Sequence, residues 1–219
     1  MALTSTLDTH ASGPARSEER VVDFYFDFIS PFGFFASLRI DALAARYGCR
    51  TRWNLMLIGV SVLKVMGMKP LLETPLKGSY ILRDGNRYAR REKIQLGREI
   101  DAPMVDPRPA GRAYSWIRQH RSDREREFAQ RVFAAYWLQG QDISNAATLD
   151  QILATIGLDL PEVKTGIRSG EAASLLRHNV EASLERGVFG SPYFIVDGEP
   201  FFGVEKMELL EEWLKSGGW

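Results

Sequence analysis

The segment that most constrains this chain is Val21-Val22-Asp23-Phe24-Tyr25-Phe26-Asp27-Phe28-Ile29-Ser30-Pro31-Phe32. Its aromatic and β-branched residues read as a strand. The run ends in Ser-Pro, and apolar residues at helical spacing follow at once: Phe34, Phe35, Leu38, Leu43 and Ala44, up to Tyr47. Pro31 suits a first helical position, where an N–H would have no intrahelical partner. Gly48 is the glycine that closes such a helix, and residues 50–58 read as a second strand. Strand, helix and strand in such short compass imply a parallel βαβ unit. Ser30 therefore stands at a helix N-terminus, where unpaired N–H groups suit an anion such as a thiolate. The residues equally allow Ser30 a plain capping role.

The middle of the chain is helical in pattern, over residues 60–66, 76–95, 110–120, 123–139, 146–156 and 171–186. Asp142-Ile143-Ser144-Asn145 reads as a turn, with Asn145 a candidate N-cap. A β pattern returns at Tyr193-Phe194-Ile195-Val196, then Asp197-Gly198, then Glu199-Pro200-Phe201-Phe202. Asp-Gly between apolar runs signals a hairpin. An amphipathic helix from about Glu205 to Lys215 ends the pattern. This order, β-α-β, a block of helices, then α-β-β-α, is that of a thioredoxin-like sheet, an α/β fold. The expected organisation is a disordered tail over 1–20, a thioredoxin-like domain over 21–60 and 171–219, and an all-helical insertion over 61–170.

Lys+Arg and Asp+Glu are equal at 28 each, so no global field attracts nucleic acid or an anionic membrane. The basic run from Arg118 to Arg126 is laced with Asp123 and Glu125 and reads as a solvated helix face. Nucleic acid and membrane are therefore not expected partners. Residues 1–20 lack the apolar stretch of a signal peptide, and no run is long enough to span a bilayer, so the expected location is the cytoplasm. The single cysteine, Cys49, excludes Cys-X-X-Cys chemistry and is expected to be a packed thiol. His10, His120 and His178 lack metal-ligand spacing, and no metal site is expected. Trp53, Trp116 and Trp137 read as core.

In a thioredoxin-like fold the chemistry follows the first strand. Redox members place a Cys there; this chain has Ser30, with Gly33 where a second Cys would lie, so dithiol catalysis is excluded. A serine hydroxyl can still donate to a thiolate held by a ligand. Pro192, in Gly187-Val188-Phe189-Gly190-Ser191-Pro192-Tyr193, reads either as a cis-proline facing the active site or as a simple strand-start proline. In the first case Ser191 offers its backbone to a peptide-like ligand.

Asp27-Phe28-Ile29-Ser30-Pro31-Phe32 resembles the DF-x-SP-Y/F signature of 2-hydroxychromene-2-carboxylate isomerases and kappa-class glutathione transferases. Lys69-Pro70, Pro75-Leu76-Lys77-Gly78-Ser79-Tyr80, Ala135-Tyr136-Trp137 with Gln141-Asp142-Ile143, and Gly187 to Pro192 extend the match. Phe202-Gly203-Val204-Glu205-Lys206-Met207 resembles the family's FxGxDR segment. The likeness runs in order from about 21 to 215.

The resemblance implies a DsbA-like thioredoxin fold, a homodimer, glutathione as cofactor and a small aromatic carboxylate as substrate. It implies an isomerase of aromatic catabolism that interconverts 2-hydroxychromene-2-carboxylate-like and benzylidenepyruvate-like compounds through a transient thiolate adduct. By the same resemblance Ser30 holds the glutathione sulfur as thiolate and is the catalytic residue. Lys77 meets a glutathione carboxylate, Ser191 before Pro192 pairs with the cysteinyl backbone, and Val204 and Glu205 face the γ-glutamyl end. Met68 stands where the family has a glutathione-binding Asn, and Glu205 where it has Asp; Lys206 replaces the usual Arg and forfeits a bidentate fork. A kappa-like transferase or peroxidase, or a non-catalytic binding protein with a drifted site, are the alternatives these departures leave open.

Overall fold

The computed structural model describes residues 20–219. The tail expected over 1–20 lies outside the described residues except for Arg20, and so does His10. Arg20 pairs with the Asp197 carboxylate, and its carbonyl accepts the Arg50 N–H at 3.0 Å.

Four strands form one sheet in the order β2-β1-β3-β4. They are β1 (Val21–Phe26), β2 (Arg50–Leu55), β3 (Tyr193–Val196) and β4 (Glu199–Phe202). β1 pairs in parallel with β2, with Phe24 opposite Trp53, and antiparallel with β3, with Phe24 opposite Phe194. Asp197 and Gly198 turn the β3–β4 hairpin at φ 54° and 85°, the left-handed pair that a two-residue turn needs.

Between β1 and β2 the expected single helix is broken into α1 (Pro31–Ser37) and α2 (Ile40–Arg46). Ser37 turns its hydroxyl back onto Phe34 O at 2.6 Å, which competes with continued helix. Gly48, at φ 68°, ends α2 as expected, and the Cys49 amide reaches Ala44 O. Cys49 itself is buried, and burial pushes its thiol up.

The helical insertion contains α3 (Lys77–Arg91), α4 (Arg108–His120), α5 (Glu125–Phe133), α6 (Ala146–Thr155) and α7 (Pro161–Ile167). α8 (Gly170–Glu185) returns the chain to the sheet, and α9 (Met207–Ser216) closes it. π-helical turns at Gly59–Val65 and Ala134–Leu138 flank the end of β1. Asn145 caps α6, its Oδ1 accepting from Ala147 N at 2.8 Å. α7 has no counterpart in the sequence pattern. Its Gly166 is needed for approach, because a Cβ there would lie 2.3 Å from the Trp116 ring.

The sheet has one apolar and one mixed face. Val22, Phe24 and Phe26 alternate onto the first, with Trp53, Leu55 and Phe194, all essentially unexposed. The rings interlock, Phe24 with Trp53 at 5.1 Å and Phe26 with Tyr114 of α4 at 5.3 Å. Phe28 meets Phe133 of α5 at 5.2 Å, so the insertion shares its core with the sheet. Each such buried aromatic contributes about 1.5–3 kcal/mol.

The basic stretch Arg118 to Arg126 is not simply a solvated face. Arg118 donates to Trp53 O at 2.7 Å and Arg126 to Thr51 O at 3.0 Å, while the Tyr114 hydroxyl also donates to Trp53 O. The outward carbonyls of edge strand β2 are thereby taken. Periodicity could not show this, because these partners lie more than sixty residues apart. Among the described residues no helix is long and apolar enough to cross a membrane.

Candidate active site

The end of β1, the start of α1 and the loop before β3 meet at two serines. Ser30 is the N-cap of α1, at φ −87° and ψ 116°, and Pro31 takes the first helical position. Its Oγ accepts the Gly33 N–H at 3.0 Å and donates to Ser191 O at 2.8 Å. The capping role is thus realised, and the hydroxyl's single proton points at a carbonyl. Ser191 precedes Pro192 through a cis peptide bond. Its Oγ accepts the Asp27 N–H at 3.0 Å. The Ser191 N–H has no partner among the described residues. Ser30 is 3% exposed and Ser191 9%.

Gly33 makes this arrangement possible. A Cβ there would lie 2.5 Å from Ser191 Oγ and 3.3 Å from Ser30 Oγ. The two hydroxyls occupy the volume that a second cysteine would need, which agrees with the exclusion of dithiol chemistry.

Beneath them lies Asp27, which the sequence presents only as the first residue of the Asp27–Phe32 signature. It is fully buried. Its Oδ2 accepts from Ile58 N at 2.8 Å and its Oδ1 from Ile29 N at 3.3 Å, joining the loops that follow β1 and β2. Burial raises its carboxyl to about 7, against the opposing pull of these amides. Trp137, in the second π-helical turn, donates from Nε1 to Phe28 O at 2.9 Å and fixes the same loop from the insertion. The signal for Asp27 was a lone carboxylate directly after a strand that is apolar at its end.

The remaining residues fall into two groups. Gly203 N donates to Pro192 O at 3.0 Å, which brings the 3-10 turn Val204–Lys206 against the cis-proline loop. Val204 is buried. The Glu205 carboxylate folds back over Gly203, whose φ of 104° and missing Cβ leave it room. Glu205 also lies near Tyr88, whose phenol burial pushes up against the pull of Arg91, the Glu205 carboxylate adding a smaller push. Tyr88 stacks on Phe35 at 5.9 Å and edges Phe32 at 6.0 Å, so Glu205 stands beside α1. Ser30, Ser191, Pro192, Val204 and Glu205 therefore gather at one end of the sheet. Met68 and Lys77 lie elsewhere in character: both are exposed, and neither bonds to Ser30 or Ser191 among the described residues.

The DSBA-like thioredoxin domain family matches residues 21–215 of the chain. A 2-hydroxychromene-2-carboxylate isomerase of Sphingobium xenophagum is 26% identical over 196 residues, covering 89% of this chain and 98% of that protein. Glutathione S-transferase kappa 1 of Caenorhabditis elegans is 21% identical over 217 residues, covering 89% of this chain and 91% of that one. Among solved structures, a 2-hydroxychromene-2-carboxylate isomerase superposes with a TM-score of 0.76 at 23% identity, covering 90% of this chain and 95% of that one.

Proposed function

This chain belongs to the DSBA-like thioredoxin domain family, and from that premise we propose that it is a glutathione-dependent isomerase of small aromatic carboxylates. Its reaction in aromatic catabolism interconverts 2-hydroxychromene-2-carboxylate-like and benzylidenepyruvate-like compounds. The observation that carries this reading is the Ser30–Ser191 cradle, a thiol-free site that joins a helix-capping hydroxyl to an unpaired backbone N–H before a cis-proline. The similarity to the Sphingobium xenophagum isomerase over nearly its whole length supports the substrate class.

Bound glutathione supplies a thiolate that can add reversibly to a conjugated double bond. Ser30 keeps that sulfur anionic by turning its proton from Ser191 O toward it; sulfur and carbonyl compete for one O–H. Ser191 N–H pairs with the cysteinyl backbone beside Pro192. Glu205 takes the γ-glutamyl ammonium, Val204 walls that end, and Lys77 takes a carboxylate. Met68 replaces a polar contact and weakens binding by about tenfold, one hydrogen bond's worth. The run of exposed apolar residues Leu63, Val65, Met66, Met68, Leu71 and Leu76 supports a homodimer as part of this reading.

Calorimetric titration of glutathione into the wild type and Ser30→Ala tests the site. Micromolar to low-millimolar binding that weakens in the variant is expected, together with isomerase turnover that consumes no glutathione. Absence of heat with both chains overturns the reading. The likeness to glutathione S-transferase kappa 1 favours a transferase as second reading, and net consumption of glutathione would establish it. If the site has instead drifted, Met68→Asn with Glu205→Asp restores strong binding to a chain that otherwise lacks it.

A further inference from the structure

The mixed face of the sheet opens into a cleft that the proposed reaction does not use. Its volume is about 400 Å³. Alternation turns Asp23 and Tyr25 of β1 to this face, beside Arg52 and Asn54 of β2. His178 and Asn179 of α8, with Arg186 just beyond it, stand across the opening.

Two observations point to a ligand. Tyr25 is only 5% exposed, yet its hydroxyl has no hydrogen-bond partner among the described residues. The hydroxyl opens onto the cleft and is free to bond there, amid Asp23, Arg186, Arg52 and Arg118. Moreover, the inner cleft has donors to spare. Asp23 is saturated: it accepts from Arg52 Nη2 at 2.8 Å, Asn54 Nδ2 at 3.0 Å and Arg186 Nη2 at 3.4 Å. Two guanidiniums thus share one carboxylate, and their remaining N–H groups face the opening with the Tyr25 hydroxyl. Arg118 is already engaged by Trp53 O, Asn54 Oδ1 and Glu125. Glu185, the other lining acid, is exposed at the rim.

We propose that this cleft is a second binding site, for a compact organic carboxylate. Its oxygens take the Tyr25 hydroxyl and the free N–H groups of Arg52 and Arg186, a planar fork suited to carboxylate. Its apolar body lies along the Tyr25 ring and Ala182. In the inner cleft Arg52 and Arg186 outnumber Asp23 by one charge, with Glu185 at the rim, which matches a monoanion, and the volume matches a single-ring acid. None of the lining residues belongs to the Ser30 cradle, so the proposal stands apart from the reaction assigned there.

Benzoate titrated into the full chain, followed by protein-observed NMR, tests it. Saturable sub-millimolar binding is expected, about tenfold weaker in Tyr25→Phe and undiminished in Ser30→Ala. Tyr25→Phe removes a hydroxyl that holds nothing in the protein, so its Tm stays at the wild-type value. Arg186→Gln, at an exposed residue, gives the same loss of affinity and serves should the first variant misfold. No saturation up to about 10 mM, wild-type affinity retained by both cleft variants, or loss of binding in Ser30→Ala overturns the proposal.

Discussion

Ser30 is 3% exposed and bonded on both sides, to Gly33 N–H and to Ser191 O. Met68, on the segment from Gly59 to Lys77, is 43% exposed and is held through its amide to Val62 O at 3.0 Å. One residue belongs to a closed network in which its hydroxyl and the Ser191 carbonyl and hydroxyl all have partners, with the Ser191 N–H left free among the described residues. The other sits on an open, apolar surface. A change in the first region must alter folding as well as chemistry, because buried groups lose partners that water cannot replace. A change in the second alters what binds and leaves the fold alone.

Asp27 offers the hardest test of that contrast. Burial raises its carboxyl to about 7, whereas an unfolded chain releases the proton in the usual carboxylate range near 4. The folded state therefore holds a proton that the unfolded state gives up. Stability from this group is greatest below the usual carboxylate range, declines as pH rises, and levels off above about 7. The span is of the order of a few kcal/mol. Urea midpoints across that window should fall for the wild type and stay level for Asp27→Asn; a wild-type profile that rises with pH would break the closed-network account.

Gly33→Val comes next. Its Cβ would be forced to within 2.5 Å of Ser191 Oγ, and overpacking of this kind costs about 1–3 kcal/mol. Thermal unfolding measures it, and glutathione affinity should fall in parallel. Ser30→Ala orphans the Gly33 N–H and the Ser191 carbonyl together, for about 1–2 kcal/mol. A stability unchanged by that substitution would show the cradle to be looser than its distances. The smallest effects belong to the open segment. Lys77→Ala and Met68→Asn should each stay within about 0.5 kcal/mol of wild-type stability, while glutathione affinity falls several-fold in the first and rises in the second. Destabilisation by either would erase the distinction between the regions.

What was legible in the sequence was local. Ser30-Pro31, Gly48, Asn145 and Asp197-Gly198 are each specified by the chemistry of one or two neighbouring residues, whereas Pro192 allowed two readings of which the cis bond is the one found. The break between α1 and α2 was hidden because apolar residues from Phe34 to Ala44 continue across it at roughly helical spacing. α7 was hidden because its Gly166 answers to the Trp116 ring on another helix. Arg118 and Arg126 looked like solvent-facing charges, since nothing nearby in sequence reveals the strand they reach. Asp27 and Tyr25 belong to the same class. Their significance lies in which elements fold over them, a property no run of neighbours records.

The treatment of the sheet's margins has a consequence for how copies of this chain can assemble. On one side, guanidinium and phenol groups from α4 and α5 stopper the outward carbonyls of β2 at Thr51 and Trp53. On the other, Pro200 removes an amide from β4. A hydrogen-bonding ladder cannot readily be continued from either margin into a neighbour. Association must proceed through side-chain surfaces, where a match of shapes limits the number of partners. A chain built this way can close into a finite assembly, and the route to fibrous growth by strand addition is blocked at both ends.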